Sequence, residues 1–111
     1  MGYGEQEIEK DVQAKGLTAP RVTPDAIDAK ITGEQYHQFP GTTMTVCCLL
    51  TLNGFAVIGQ AAAASPENFD AEIGRKVARA DARDKLWQLE GYLLREKLYH
   101  AALNNDYGQI S

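Results

Sequence analysis

Residues 42–60 read TTMTVCCLLTLNGFAVIGQ and carry the clearest structural signal in the chain. Both halves of this segment are rich in β-branched and apolar residues, which favour β-strands. Asn53-Gly54 separates the two halves, and both residues tolerate the positive φ angles of a tight hairpin turn. We therefore predict an antiparallel β-hairpin with a two-residue turn at Asn53-Gly54.

A short helix is predicted upstream of the hairpin, near residues 24–31. Thr23-Pro24-Asp25 supplies a capping hydroxyl, a proline at the first helical position and an acid near the positive end of the helix dipole. Gly33 is expected to end this helix. Residues 35–39 alternate in polarity before Pro40-Gly41 interrupts them, which leaves a loop or a short edge strand as alternatives.

A long helix is predicted downstream of the hairpin. Ser65-Pro66-Glu67 combines a cap, a first-position proline and an acid in the first turn. No proline follows Pro66, and helix-forming residues dominate as far as about His100, which gives a helix on the order of 45 Å long. The predicted fold class is therefore α+β: a short N-terminal helix, an antiparallel hairpin or sheet, and one long C-terminal helix.

The 111 residues suffice for one domain. We expect residues 1–20 to be a flexible segment, residues 21–103 to form the domain and residues 104–111 to be a flexible tail. A net charge of −4 argues against a dedicated nucleic-acid binder. With no apolar run of membrane-spanning length and no signal-peptide pattern, the sequence predicts a soluble, cytoplasmic protein.

The long helix is apolar over too wide a stripe for a single hairpin to cover. Leu86, Leu89, Tyr92 and Leu93 broaden the stripe in its C-terminal half. A second copy of the same helix, related by a two-fold axis, is the most economical cover for the other side. We therefore predict a homo-oligomer formed through a helix over about 66–100.

Motifs for catalysis or metal binding are absent from the sequence. Cys47 and Cys48 are adjacent, so in a strand they point to opposite faces and do not pair with each other. No Cys or His spacing typical of a zinc site occurs, and no nucleophile motif or Gly-rich phosphate loop is present. The sequence predicts a binding protein with no catalytic residues, no metal and no cofactor.

Positive charge is concentrated between residues 75 and 85. Arg75, Arg79 and Arg83 are spaced i, i+4, i+8 and therefore project from one stripe of the helix. Guanidinium groups match phosphate oxygens through their two-pronged donor geometry, so the stripe is a candidate anion site. The alternative is a solvated, self-neutralised face, with carboxylates supplied by the same helix: Glu72, Asp81 and Asp84.

Two segments resemble a family of small tailed-phage proteins. These are TMTVCCLLTLNGFAVI, residues 43–58, and SPENFDAEIGRKVARADARDKLWQLEGYLL, residues 65–94. The similarity covers roughly residues 20–98. A branch of what looks like the same family is the first-described Thoeris anti-defence sponge, which is similar in layout and assembles as dimers and as trimers of dimers.

This resemblance implies a function in the cytoplasm of the host cell. It implies binding, without cleavage, of cyclic ADP-ribose isomers, and in some members of the cyclic oligonucleotides of CBASS defence. It also implies roles for individual residues: Arg75, Arg79 and Arg83 hold phosphate, Phe55 or Phe69 stacks on a base, and Asn68 makes a polar contact. The partners would be these ligands and further copies of the chain, up to a hexamer, with no membrane and no DNA.

A second function stays open from the sequence. The long helix could dock on a host protein, with Trp87, Tyr92 and Leu94 as anchors, because large aromatic side chains are enriched among the residues that dominate interface energies. In that case the chain is an accessory protein-interaction module, and the arginine stripe has no ligand.

Overall fold

A computed structural model describes the backbone of residues 4–110 and the side chains of residues 4–104. It confirms the predicted α+β class, with a three-stranded antiparallel sheet of order β1-β2-β3. In chain order the elements are α1 (Glu5–Ala14), α2 (Pro24–Lys30), β1 (Ile31–Gln38), β2 (Met44–Thr51), β3 (Ala56–Ala62) and α3 (Ala71–Ile110), with one 3₁₀ turn at Pro66–Asn68 before α3.

The predicted hairpin is β2–β3, but its loop differs from the two-residue turn that was expected. The Thr51 amide donates to the carbonyl of Phe55, and the Gly54 amide donates to the carbonyl of Thr51, both at 2.9 Å, which encloses a three-residue loop over 52–54. Within this loop, only Gly54 has positive φ, at 87°. Such loops need only one left-handed residue. The Asn53 carboxamide oxygen instead accepts the Phe55 amide at 3.0 Å.

The alternation before Pro40 belongs to the edge strand β1, which is longer than the sequence suggested. Thr23 caps α2 as predicted, since its hydroxyl accepts the Ala26 amide at 3.1 Å. The predicted stop at Gly33 is wrong, because α2 ends at Lys30 and Gly33 lies within β1, where the register shifts. The residues from Ile31 to Gly33, which were expected to end the helix, instead pair with β2 as part of β1.

α3 begins six residues later than its predicted cap, Ser65. The Ser65 hydroxyl bonds to the Glu67 carboxylate at 2.5 Å, and Phe69 is extended. Asp70 caps the helix instead, because its carboxylate accepts the Ile73 amide at 2.9 Å. α3 continues beyond the predicted end near His100. The side chains of 105–111 lie outside the described residues, so the tail over 104–111 stays a prediction.

The core lies between one face of the sheet and the first half of α3. Alternate residues of β2 are buried, as the two-residue period of a strand requires. They meet small residues of α3, which let the helix approach the sheet closely. The fully buried members of this core are Cys47, Leu49, Ala78 and Ala82.

α1 lies within the segment that was expected to be flexible. Its Ile8 and Val12 line a groove of about 350 Å³ together with Val22, Pro24 and Trp87. The side of α3 that carries Trp87 is therefore covered in part by the N-terminal segment of the same chain. Among the described residues, no helix is both long and apolar enough to cross a membrane.

Candidate functional site

The three arginines of the predicted stripe do lie on one flank of α3, and they follow the edge strand β1. Arg75 lies beside Tyr36 and His37, and Arg79 bonds to Glu34. Arg83 reaches Asp28 of α2. The stripe therefore runs antiparallel to the segment 28–37.

Arg79 is paired within the protein. Its Nε atom donates to the Glu34 carboxylate at 2.7 Å, and the Tyr36 hydroxyl donates to the other carboxylate oxygen at 3.2 Å. The hydrogen bond from Arg79 is the main reason that the pKa of Glu34 is lowered. Burial is the main cause that raises the pKa of Tyr36 to about 12, so its hydroxyl stays a donor at neutral pH.

Arg83 joins three helices. Its Nε atom donates to the Asp28 carboxylate at 2.9 Å, and one Nη atom pairs with the Glu5 carboxylate of α1. The other Nη atom donates to the Pro24 carbonyl at 3.3 Å. Only 13% of this side chain is exposed, so the guanidinium is available to an external anion only if a carboxylate leaves.

The carboxylates that neutralise the stripe are not those that the sequence offered. Asp81 accepts the Gln60 amide of β3 at 2.9 Å, and Glu72 pairs with Lys76 at 3.5 Å. Asp81 is two residues from the nearest arginine and so lies on another face of the helix. Asp84 lines a cleft with Arg79 and Arg83, but it forms no ion pair with either among the described side chains. The partners Glu5, Asp28 and Glu34 come from elements distant in sequence.

Arg75 differs from the other two arginines. It is exposed, and it forms no ion pair with the described side chains. It lines a polar recess of about 130 Å³ with Tyr36, His37, Gln38 and Thr45. Nothing in this recess carries a negative charge. Of the three arginines, Arg75 is therefore the one whose guanidinium is open to an external anion.

Phe55 lies far from Arg75. It follows the β2–β3 loop, is 56% exposed and lines a groove of about 330 Å³ under the projecting half of α3. Thr45 beside Arg75 and Thr51 beside Phe55 are six strand residues apart, or about 20 Å. One copy of the chain does not bring these two predicted ligand residues together.

Asn68 and Phe69 lie in a third recess, separate from those of Arg75 and Phe55. They line a recess of about 200 Å³ with Ile73, Gly74 and Val77 of α3. Val77 is two residues from Arg75 and so about 200° away around the helix. Asn68 and Phe69 therefore lie on the opposite flank of α3 from the arginines.

Sequence reasoning missed Glu5, Glu34 and Tyr36 as members of the arginine cluster. The glycines around α1 favour a mobile end, and the alternation at residues 35–39 fits either a loop or a short edge strand. Ile8 and Val12, four residues apart within EQEIEKDV at residues 5–12, were the available signal for a helix with one apolar side. No group of three potential metal ligands occurs within the described part of the chain.

The central region of the chain matches a known protein family. The model of the family described as "Phage protein (N4 Gp49/phage Sf6 gene 66) family" matches residues 22–98. The matched region contains the sheet and the three arginines and leaves α1 outside it. No curated protein and no solved structure gave a match.

Proposed function

We propose that this chain, which belongs to the phage protein (N4 Gp49/phage Sf6 gene 66) family, is an anti-defence sponge. In this role it binds cyclic nucleotide signals of bacterial immunity and withholds them without cleaving them. The ligands would be cyclic ADP-ribose isomers, or cyclic oligonucleotides of the CBASS type. The proposal is supported by a resemblance, because a branch of what looks like the same phage protein family is the Thoeris anti-defence sponge.

The observation that carries the proposal is the exposed guanidinium of Arg75, which has no ion-pair partner among side chains 4–104. Hydrogen bonds between arginine and phosphate are charge-assisted and roughly twice as strong as neutral ones. The neighbouring Tyr36, His37 and Gln38 offer ring surfaces and amide donors beside it. A phosphate placed here meets a cation and polar groups with no competing carboxylate.

The recess at Arg75 is too small to hold a whole cyclic nucleotide. Its volume is about 130 Å³, whereas pockets for small organic ligands measure roughly 300–1,000 Å³. It would take one phosphate, and the base and ribose would need a second surface. In a homo-oligomer a neighbouring copy supplies that surface, with Asn68 and Phe55 or Phe69 as contacts. The sponge therefore requires self-association, a dimer or a trimer of dimers.

Calorimetric titration tests the arginine. Wild-type protein, Arg75→Ala and Arg95→Ala are titrated with cyclic ADP-ribose isomers and cyclic trinucleotides. Arg95 is exposed on the projecting part of α3 and serves as the matched control. We expect Arg75→Ala to lose at least about tenfold in affinity, since a charge-assisted contact contributes roughly 1.5–3 kcal/mol. A wild type that binds none of the panel, or equal affinities for both variants, would reject the proposal.

A second function is favoured by the projecting half of α3. Tyr92 is 72% exposed and Leu93 40% exposed, beside Leu52 at 66%. An aromatic anchor within an apolar groove is typical of a protein-binding surface. Of the three anchors considered from the sequence, Tyr92 is exposed, Leu94 is half-buried and Trp87 lies in the groove with α1. A host protein that binds wild type but not Tyr92→Ser, with nucleotide binding absent, would favour this alternative.

A further inference from the structure

A second, larger cleft lies beside the arginine stripe, between α1, α2 and α3. Its volume is about 710 Å³, and Lys76, Arg79 and Arg83 line its α3 side. The two arginines are four residues apart, so their α-carbons are separated by about 6 Å along the helix. That spacing suits the two phosphoryl groups of a pyrophosphate, one at Arg83 and one at the Nη atoms of Arg79, whose Nε atom bonds to Glu34.

With α1 in place, this cleft repels anions. Five carboxylates line it against three cations, and two of the five, Glu5 and Glu7, belong to α1. Removal of α1 leaves three carboxylates against three cations and frees an Nη atom of Arg83. The two carboxylates of α1 therefore change the net charge of the cleft from zero to negative. Coulomb interactions act strongly over these short distances, so this charge opposes the binding of anions.

α1 is held to the rest of the chain by few interactions. None of its residues is fully buried. Its ion pairs are Glu9 with Arg21, which lies in the connecting segment, and Glu5 with Arg83. Detachment of a helix with little buried apolar surface costs only a small fraction of the free energy needed to unfold the whole domain. α1 also lies outside the region shared with the family, which begins at residue 22.

We infer that α1 is a displaceable strap whose Glu5 carboxylate competes with phosphate-bearing ligands for Arg83. In the closed state Arg83 pairs with two carboxylates, those of Glu5 and Asp28. A pyrophosphate group that enters the cleft takes over Arg83, and α1 detaches. The inference rests on the proposed function only in its choice of a phosphate anion, and it assigns a second anion position that a docked α1 closes.

Titration with inorganic pyrophosphate, followed by NMR, tests the strap on the full chain. Only molecules with α1 detached bind, so the apparent affinity for pyrophosphate falls as the fraction of closed molecules rises. A variant in which α1 docks less often should therefore bind pyrophosphate more tightly. We expect Glu5→Gln to bind pyrophosphate at least about fivefold more tightly than wild type. Arg83→Gln in the Glu5→Gln background should remove the gain. Should that double variant fail to fold, Arg79→Gln replaces Arg83→Gln.

Glu9→Gln is the matched control, because Glu9 also joins α1 to an arginine but does not line the cleft. It loosens α1 without changing the charge of the cleft, so its gain should be clearly smaller than that of Glu5→Gln. Hydrogen exchange adds an independent measurement: pyrophosphate should lower the protection of residues 5–14 in wild type. A merely structural ion pair would leave that protection unchanged.

Several outcomes would reject the proposal that α1 is a displaceable strap. These are equal pyrophosphate affinities for wild type and Glu5→Gln, an equal gain in Glu9→Gln, no binding to any variant, or unchanged protection of α1. The sponge is tested separately with cyclic nucleotides and Arg75→Ala. A normal pyrophosphate response without cyclic nucleotide binding rejects the sponge alone, and the reverse rejects the strap alone.

Discussion

Gly59 of β3 lies directly against the backbone of Ala82 in α3. A β-carbon on Gly59 would lie 2.2 Å from the amide nitrogen of Ala82 and equally close to the carbonyl oxygen of Ala78. This contact brings α3 near enough for Asp81 and Lys85 to bond the outer edge of β3. Asp81 accepts the Gln60 amide at 2.9 Å, and Lys85 donates to the Ile58 carbonyl at 2.5 Å. The helix therefore covers the sheet and also closes one of its edges against further strands.

Replacement of Gly59 by Ala should be strongly destabilising. The added methyl group meets helix backbone, which cannot rotate away, so α3 must shift and the core must open. We expect a loss of at least about 3 kcal/mol in the free energy of unfolding, measured in urea. Gly91→Ala is the control: the same change in α3 meets nothing within 4 Å and should stabilise by about 0.5–1 kcal/mol. Equal effects of both changes would contradict the close contact.

The hairpin loop depends on the left-handed conformation of Gly54. At φ 87° a β-branched side chain is strained, so Gly54→Val should lower the free energy of unfolding by about 1–2 kcal/mol. Gly54→Asn should cost less, because Asn enters this conformation more easily. Thermal melting of both variants checks the order. A Gly54→Val variant that melts like wild type would mean that the loop has another geometry.

Glu34 should make stability depend on pH in the acid range. Its pKa is lowered in the folded protein, chiefly by the hydrogen bond from Arg79, so it adds stability above the ordinary Glu pKa. That contribution is lost as the pH falls through the lowered folded-state pKa. Wild type and Glu34→Gln should differ by at most about 1 kcal/mol at pH 7, because the pair is partly exposed. The difference should shrink below about pH 4. A constant difference from pH 7 to pH 3 would contradict the coupling.

Trp87 should hold α1 in place. It shares a groove with Ile8 and Val12, so Trp87→Ala removes apolar contact from both helices. For a half-buried aromatic side chain we expect a loss of about 2–3 kcal/mol, below the cost of a fully buried one. Hydrogen exchange should show that α1 loses more protection than β2. Uniform loss across the chain would instead place Trp87 in the central core.

Self-association should depend on the projecting half of α3. Tyr92 and Leu93 are exposed beyond the end of the sheet, and we expect a second copy to cover them. The double variant Tyr92→Ser with Leu93→Ser should sediment as a monomer at micromolar concentration and keep its helical circular dichroism. Leu17→Ser, a change at an apolar site that is 56% exposed in the segment between α1 and α2, should leave the assembly unchanged. A wild type that is monomeric at this concentration would reject the prediction.

Local preference was enough to predict the elements near strong sequence signals. Thr23-Pro24 set the start of α2, the Asn53-Gly54 pair located the hairpin, and the long proline-free region predicted α3. Each of these signals acts through backbone conformations that a residue favours or forbids without reference to distant neighbours. The stripe formed by Arg75, Arg79 and Arg83 followed in the same way, since helical spacing alone places these residues on one flank.

The surroundings of those arginines depended on distant parts of the chain. Glu34 pairs with Arg79 across 45 residues and Glu5 with Arg83 across 78. No local spacing encodes such contacts, because they arise when α3 crosses the sheet on the small residues at Gly59 and Ala82. That crossing brings carboxylates to two of the arginines, whereas Arg75 has none among the described side chains. Helical periodicity could put three like charges in a row, but the packing of α3 against the sheet made them chemically different.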